Sequence, residues 1–583
     1  MNRLIEPRAG DAEDDASSTK KRSLVAIAGS LLGEISLAKL VVAWIILGLL
    51  PAVLLGLAPL VVTAWLSKVS GRFSELAGLG SVLIFGLVGA VGWFGVRPLF
   101  RAVERSFWSL NSLAVQPFYA LCREGLRHFA ERFLPHGASE DARARLRAAT
   151  SLGAGLAACI IAACIAAAAW PATRWFGQIG DLARPMHLVV PAFANAVTLM
   201  CGYLALASLA WGVADASMDQ PRDIKAFDEA SPSARRWRVV HLSDIHVVGE
   251  RYGFRIESGR AGPRGNERLV EVLETLARIH ADDPLDVVLI TGDMTDAGRS
   301  SEWAEFLDAL SCHPALMGRT FVLPGNHDVN IVDRANPARL ELPTSPGKRL
   351  RQMRTLSAMA AVQGDRVSVF EKTRSKLGKT LANALEPHRK AITAFADTGG
   401  LRQGMRLANI WADIFPMVVP PSEEDGLGIV LLNSNAETNF SFTNALGLVP
   451  EEDIRALLAI LGRYPGARWI VALHHHLVEY PRPARAFSER VGTALINGSR
   501  FVRQLEAESH RVVAMHGHRH IDWIGRCGGL KIISAPSPVM EALDDEATGF
   551  YIHTLAAAPD GGLALLKPQW IEILPRATRA ATV

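Results

Sequence analysis

The chain has 583 residues, enough for several domains, and 49% of them are apolar. Its mean hydropathy is positive, which argues against a wholly water-soluble protein and for membrane segments. A net charge of +4 offers no bulk electrostatic attraction for a nucleic-acid polymer, and none is expected as a partner.

The first 22 residues are polar and charged, with Glu13, Asp14 and Asp15 among them. They predict a disordered tail over 1–22 rather than a signal peptide, whose apolar core should not follow acidic residues. A membrane region is expected over 23–213. Within it, residues 24–37 carry Glu34 and precede Lys39, which suits an interfacial helix better than a span. Four uncharged runs follow, at 40–66, 76–96, 152–170 and 188–213. Each approaches or exceeds the ~20 residues needed to cross a bilayer. Pro51 and Pro59 lie inside the first, where prolines are tolerated in membrane helices.

Orientation follows from loop charge. The loop 97–149 carries nine arginines, whereas the loops on the other side carry only Lys68 and Arg72, or Arg174 and Arg184. The positive-inside bias makes 97–149 a cytoplasmic loop and puts both ends of a four-span anchor in the cytoplasm. The expected location is a bacterial-type inner (cell) membrane, with a lipid bilayer as partner. The six cysteines form no C-x-x-C pair, so neither a disulfide framework nor a thiolate zinc site is expected.

A polar stretch with Pro221 and Pro232 makes 214–236 a linker. From 237 to 576 the pattern changes to short β-rich apolar runs that alternate with amphipathic segments, which is α/β punctuation. Leu269, Val272, Leu273, Leu276 and Ile279 share one helical face. So do Trp303, Phe306, Leu307 and Leu310, after a start at Ser300-Ser301-Glu302.

Five of the apolar runs share one design. The first ends at His241-Leu242-Ser243-Asp244-Ile245-His246. The second ends at Gly292-Asp293, and the third at Gly325-Asn326-His327-Asp328. The fourth ends at His474-His475-His476, and the fifth at His516-Gly517-His518-Arg519-His520. An apolar run of this length reads as a buried strand, and open α/β sheets bind ligands beyond their strands' C-terminal ends. Five strands would thus deliver side chains to one rim, with Gly292, Gly325 and Gly517 permitting close backbone turns. The donors are carboxylate, imidazole and amide, without sulfur, which suits Mn, Fe or Zn. A carboxylate such as Asp293 can offset the repulsion of two cations by bridging them. Each motif alone is weak; five in order at strand ends are specific.

The order D-x-H, G-D, G-N-H-D, H, G-H-x-H resembles the calcineurin-like metallophosphoesterases. Its wording is most similar to the bacterial cyclic-nucleotide phosphodiesterase branch, through His241-Leu242-Ser243-Asp244-Ile245-His246 and Thr291-Gly292-Asp293-Met294-Thr295-Asp296. The resemblance covers about 237–536. It implies a four-layer α/β/β/α sandwich, here preceded by an all-α transmembrane region. It implies two divalent metal ions, with Asp244, His246 and His520 on the first, Asn326, His474 and His518 on the second, and Asp293 between them. His474 directly follows its strand; His475 is the alternative. The implied reaction is phosphoester hydrolysis, in which a hydroxide shared by the two metals attacks phosphorus in line. His327 would face the leaving group, with Asp328 orienting it.

About a hundred residues separate Asp328 from the next strand at 428–433, too many for a plain loop. The insertion at 331–427 is basic, and 350–359 and 372–393 have helical spacing. A helical cap beside the metal site is therefore expected. The substrate is a phosphodiester, either a cyclic nucleotide or a nucleotide-linked lipid. A catalytically silent scaffold and a membrane sensor are the competing readings. The sequence leaves the oligomeric state open.

Overall fold

The computed structural model of the chain describes residues 4–5, 45, 49–73, 115–135, 138–178, 180–181, 184–249, 265–331, 346–437, 444–481, 495–540 and 546–574. It divides into two compact units, Ile35–Met218 and a second formed by Met1–Glu34 with Asp219–Val583.

The described part of the first unit is helical. It contains α1 (Leu50–Phe73), α2 (Gln116–Glu131), α3 (Glu140–Ala169) and α4 (Val189–Ala216). Ser139 caps α3 by accepting from the Ala142 amide, and Glu140 and Asp141 favour the positive end of its dipole. Small residues on α3, including Ala154, Gly155, Ala158 and Ala162, face inward, while Leu152, Leu156, Ile160 and Ile165 face outward. This is how helices pack where the surroundings are as apolar as the core. Gly155 meets Gly212 of α4 so closely that a Cβ added to it would sit 2.9 Å from the Gly212 Cα. Three helical segments, Leu50–Lys68, Glu140–Ala172 and Pro185–Ala216, are long and apolar enough to cross a membrane. They correspond to the expected spans at 40–66, 152–170 and 188–213. The expected span at 76–96 and the interfacial helix at 24–37 lie outside the described residues. The loop 97–149 contains α2 and the start of α3.

The second unit is built on two mixed sheets. Its elements begin with β1 (Arg222–Asp223), β2 (Arg236–Leu242), α5 (Glu267–Asp282), β3 (Val287–Ile290), α6 (Ser300–Ser311), β4 (Thr320–Val322) and the single turn α7 (Asn326–Val329). They continue with α8 (Pro346–Gln363), β5 (Ser368–Glu371), β6 (Lys376–Thr380), α9 (Arg389–Thr398), α10 (Leu401–Ile414), β7 (Met417–Val419), β8 (Leu427–Leu431), α11 (Glu451–Arg463) and β9 (Arg468–Ala472). The last strands are β10 (Val512–His516), β11 (Trp523–Cys527), β12 (Leu530–Ser534), β13 (Thr548–Ala557), β14 (Leu563–Leu565) and β15 (Gln569–Ile573). One sheet runs β1-β11-β12-β10-β9-β8-β7-β5-β6; the other runs β14-β13-β2-β3-β4, with β15 on β13. Apolar side chains of both sheets join one buried cluster, among them Val240, Leu289 and Phe550 from one and Ile470, Met515 and Ile533 from the other. The expected four-layer α/β/β/α architecture is the one observed, and α5 and α6 bury the faces their periodicity predicts.

Parallel pairing aligns the strand ends that matter. Leu242 pairs with Ile290, Ile290 with Val322, and Ala472 with Met515. The motifs that follow β2, β3, β4, β9 and β10 therefore leave the sheets at matching levels.

Three features differ from the sequence reading. The insertion is largely helical, as expected, with 350–359 inside α8 and with α9 and α10 following. It also supplies β5, β6 and β7 to the edge of the long sheet, so the expected helix at 372–393 is interrupted by β6. Helix α8 is sunk into the core by Leu350, Met353, Leu356 and Met359. Two of the insertion's arginines are buried with it: Arg351 donates to the Val329 carbonyl (3.2 Å) and Arg354 to the Gly298 carbonyl (2.9 Å). These charges brace loops instead of facing solvent. Within the polar tail, Leu4 and Ile5 are buried; both amides donate to Ser357 Oγ, and Thr393 Oγ1 donates to the Leu4 carbonyl. Part of the 214–236 segment is also built into the unit, since β1 pairs with β11 and Asp228 receives Lys531.

Candidate metal centre

The strand-end motifs converge on one cluster, and the backbone bends sharply to form it. Among the described residues, the non-glycine positions with positive φ are Asp244, His246, Asp293, His518, His520 and, elsewhere, Ser375. Left-handed backbone is costly for residues with a Cβ, so its concentration at five expected ligands marks a shape held for function. Glycines make room beside them. A Cβ on Gly325 would lie 2.1 Å from Asp293 Oδ1, and one on Gly517 would lie 2.6 Å from Asp244 Oδ2.

Asp293 occupies the middle. Its Oδ1 accepts the His327 backbone amide at 2.7 Å. Its Oδ2 lies 3.2 Å from His474 Nε2 and 3.9 Å from His246 Nε2, so one oxygen faces both halves of the cluster. In one half, His246 Nε2 lies 3.3 Å from His520 Nε2, which is 3.5 Å from Asp244 Oδ1. In the other half, His474 Nε2 lies 3.0 Å from Asn326 Oδ1 and 3.1 Å from His518 Nδ1. The groups Asp244/His246/His520, His246/Asp293/His327 and Asp293/His474/His518 each converge closely enough to hold an ion. All seven expected ligands and His327 thus fall in one place.

Surrounding groups fix how these side chains point. The Thr291 carbonyl accepts His474 Nδ1–H at 2.8 Å, which turns Nε2 toward the cluster. His475 is engaged differently. Ser434 Oγ accepts the His474 and His475 amides and donates to His475 Nδ1 at 2.9 Å. His474, and not His475, is therefore the member of the run that meets Asp293 and Asn326. Asp244 Oδ2 accepts the His518 amide at 2.9 Å, and Ser537 Oγ donates to the Asp244 carbonyl at 2.6 Å.

The electrostatics favour a cation. Burial alone would raise the Asp244 and Asp293 carboxyls. The facing imidazoles, His520 for Asp244 and His474 for Asp293, override burial and hold both below the usual carboxylate range. Burial works against a charged His474, yet the Asp293 carboxylate raises its imidazole to about 9. His518 Nε2 is buried without a hydrogen-bond partner among the described residues, and Asp244 Oδ1 meets the His520 ring only at 3.5 Å. A nitrogen-and-oxygen donor set so under-satisfied fits divalent metal ions.

His327 and Asp328 are placed differently from the sequence expectation. His327 Nδ1–H donates to the Asp296 backbone carbonyl at 2.7 Å, and its ring meets that of His246 edge-on at 4.5 Å. Asp328 does not orient it. Its Oδ1 accepts the Thr295 amide (2.9 Å) and hydroxyl (2.7 Å), and its Oδ2 accepts the Gly325 amide (2.9 Å). Burial, with Asp293 nearby, raises the Asp328 carboxyl to about 6. Asp296, readable from sequence as a turn residue or a support for a ligand, has its carboxylate 3.5 Å from His246 Nδ1. Its place in Thr291-Gly292-Asp293-Met294-Thr295-Asp296 was a signal for this; Ser434 and Ser537 gave none.

Residues 238–522 match the calcineurin-like phosphoesterase family. The match takes in every residue of the cluster and spans just under half of the 583-residue chain. No curated protein matches the chain. Similar solved structures include a dimetal phosphatase from Danio rerio, 12% identical, with a TM-score of 0.33, covering 58% of this chain and 98% of that one. Another is a purple acid phosphatase from yellow lupin, 13% identical, with a TM-score of 0.28, covering 58% and 52%. A third is a sulfate thiohydrolase from Thermus thermophilus, 12% identical, with a TM-score of 0.28, covering 61% and 60%.

Proposed function

We propose that this chain, which carries a calcineurin-like phosphoesterase domain over residues 238–522, is a membrane-anchored, metal-dependent phosphodiesterase. The observation that carries the reading is Asp293 Oδ2, shared between His246 on one side and His474 on the other. A carboxylate so placed suits two cations. Asp244, His246 and His520 would hold one, Asn326, His474 and His518 the other, and Asp293 both. When bound, such ions supply Lewis-acid stabilisation of phosphoryl oxygens and lower the pKa of a water nucleophile. Mn, Fe and Zn all suit the donors.

The chain's own groups do the rest. The Thr291 carbonyl and the Asp296 carboxylate hold the His474 and His246 rings in the orientation a ligand needs. His327 commits Nδ1–H to the Asp296 carbonyl, and in this reading it would meet the substrate through Nε2. In that position it stabilises charge, or carries a proton, at the departing oxygen. Every ligand position is filled, which disfavours a catalytically silent scaffold.

The apolar helices supply the anchor. The arginine-rich 97–149 loop favours a multi-pass inner-membrane topology with the phosphoesterase domain in the cytoplasm. The substrate is a diester, soluble as a cyclic nucleotide or membrane-borne as a nucleotide-linked lipid. The test is to purify the full chain in detergent, add Mn, and assay both diester classes beside simple phosphomonoesters. The expected result is diester hydrolysis that Asp293→Asn abolishes. Hydrolysis of monoesters alone would reject the diester assignment. Equal inactivity of both proteins on every phosphoester would reject the enzyme.

A further inference from the structure

Helix α2 is amphipathic the wrong way round for water. Three of its charged residues are buried: Arg123 is 9% exposed, Glu124 1% and Arg127 6%. Its large apolar residues point outward: Leu121 is 48% exposed, Phe129 60%, and Phe133 just beyond its end 73%. The inner face is ion-paired. Arg123 bonds Asp215 at the end of α4 (2.9 Å) and Glu124 (3.0 Å), Arg127 bonds Glu124 (3.0 Å), and the Tyr119 hydroxyl donates to Asp215 (2.9 Å). A helix against water would turn these faces round, because exposed large apolar side chains forgo the stabilisation of burial.

We infer that α2 lies in the plane of the membrane, with Leu121, Leu126, Phe129 and Phe133 in the acyl chains of one leaflet. This rests on the reading of the chain as membrane-anchored. A buried ionic face argues against a span, since Arg123, Glu124 and Arg127 lie within the described residues of α2. Position supports an in-plane helix. Leu126 packs beside Gly153 of α3, just past Arg147, the last charge before the uncharged run of that helix. Asp215, which receives Arg123, lies in the last turn of α4. Helix α2 therefore sits where the bundle changes from charged to apolar. Helix α3 likewise turns Leu152, Leu156 and Ile160 outward. Exposed basic groups flank it, His128 and Arg132 on α2 and its following turn, Arg143 and Arg145 on α3. Basic groups beside an apolar stripe complement anionic head groups above acyl chains.

The test uses the full chain, its six cysteines replaced by serine, in bilayer discs of phosphatidylethanolamine and phosphatidylglycerol. Single nitroxide labels are placed through Leu121→Cys and Phe129→Cys. Ile160→Cys and Arg143→Cys serve as references. The expected result is loss of collisions with an aqueous nickel chelate and gain of collisions with oxygen at 121 and 129, matching 160 and opposite to 143. Chelate-accessible labels at 121 and 129, with 160 still chelate-excluded, would overturn the in-plane helix and leave the anchor standing. Labels shielded from both reagents would mean that protein covers this face, which also overturns it. Chelate access at 160 as well would reject the membrane anchor itself. All positions are exposed, and retained phosphodiester hydrolysis by the labelled chains verifies that they fold.

Discussion

His327 is aimed by the backbone of Asp296: its Nδ1 lies 2.7 Å from that carbonyl, while the adjacent Asp328 reaches away to Thr295 and Gly325. The Gly325-Asn326-His327-Asp328 motif therefore separates two tasks. In the proposed mechanism His327 faces the reaction, while Asp328 ties the loop that carries it to the loop after β3.

His327→Ala should lower kcat by ~10²–10⁴-fold on substrates with a poor leaving group, the range for a positioned acid or charge stabiliser. The loss should shrink on an activated nitrophenyl diester, and bound metal should be unchanged. Kinetics on a leaving-group series read this directly. A loss independent of the leaving group would deny His327 its role at the departing oxygen.

Asp328→Ala should act on stability. It removes the acceptor for two backbone amides and one hydroxyl, all buried. Unsatisfied buried donors cost ~1–3 kcal/mol each, so the urea transition of the α/β unit should move markedly to lower denaturant. Asp328→Asn keeps one acceptor and should lose less. Its leaving-group dependence should remain that of the native chain, because the His327–Asp296 bond is untouched.

Glu302 gives the α/β unit a pH signature. Burial raises its carboxyl to about 7, against hydrogen bonds from the Ala297 and Arg299 amides that favour the anion. The folded state thus holds the proton more tightly than the unfolded chain. The stabilisation is fully present below the unfolded value near ~4.5 and is lost as pH rises through about 7. Between pH 5 and 8 this group should remove up to about 3 kcal/mol. Glu302→Gln should flatten the fall in that window, as read from urea transitions in chelator. An unchanged slope would refute the assignment.

The ligand series was legible because each motif follows a short apolar run, and parallel pairing aligns strand ends whatever the loop lengths between them. The choice between His474 and His475 needed coordinates, since it turns on Ser434, which is distant in sequence. The 372–393 stretch of the insertion misled for a different reason. Residues 372–393 are polar enough to satisfy a helical pattern, yet tertiary pairing draws Lys376–Thr380 into an edge strand. Arg351 and Arg354 count as surface charge in any sequence, until loop carbonyls appear above them. Leu4 and Ile5, a lone apolar pair in a polar tail, carry no periodicity from which docking could be read.

The most direct measurement is the metal content of the purified full chain, by mass spectrometry, beside its diester hydrolysis. Two divalent ions per chain are predicted, with loss of both activity and metal on chelation and restoration of both on adding Mn. Asp293→Asn should retain less metal and no activity. A chain that hydrolyses diesters undiminished after its metal is stripped, or an Asp293→Asn variant equal to the native chain in metal and rate, would contradict the shared-carboxylate centre.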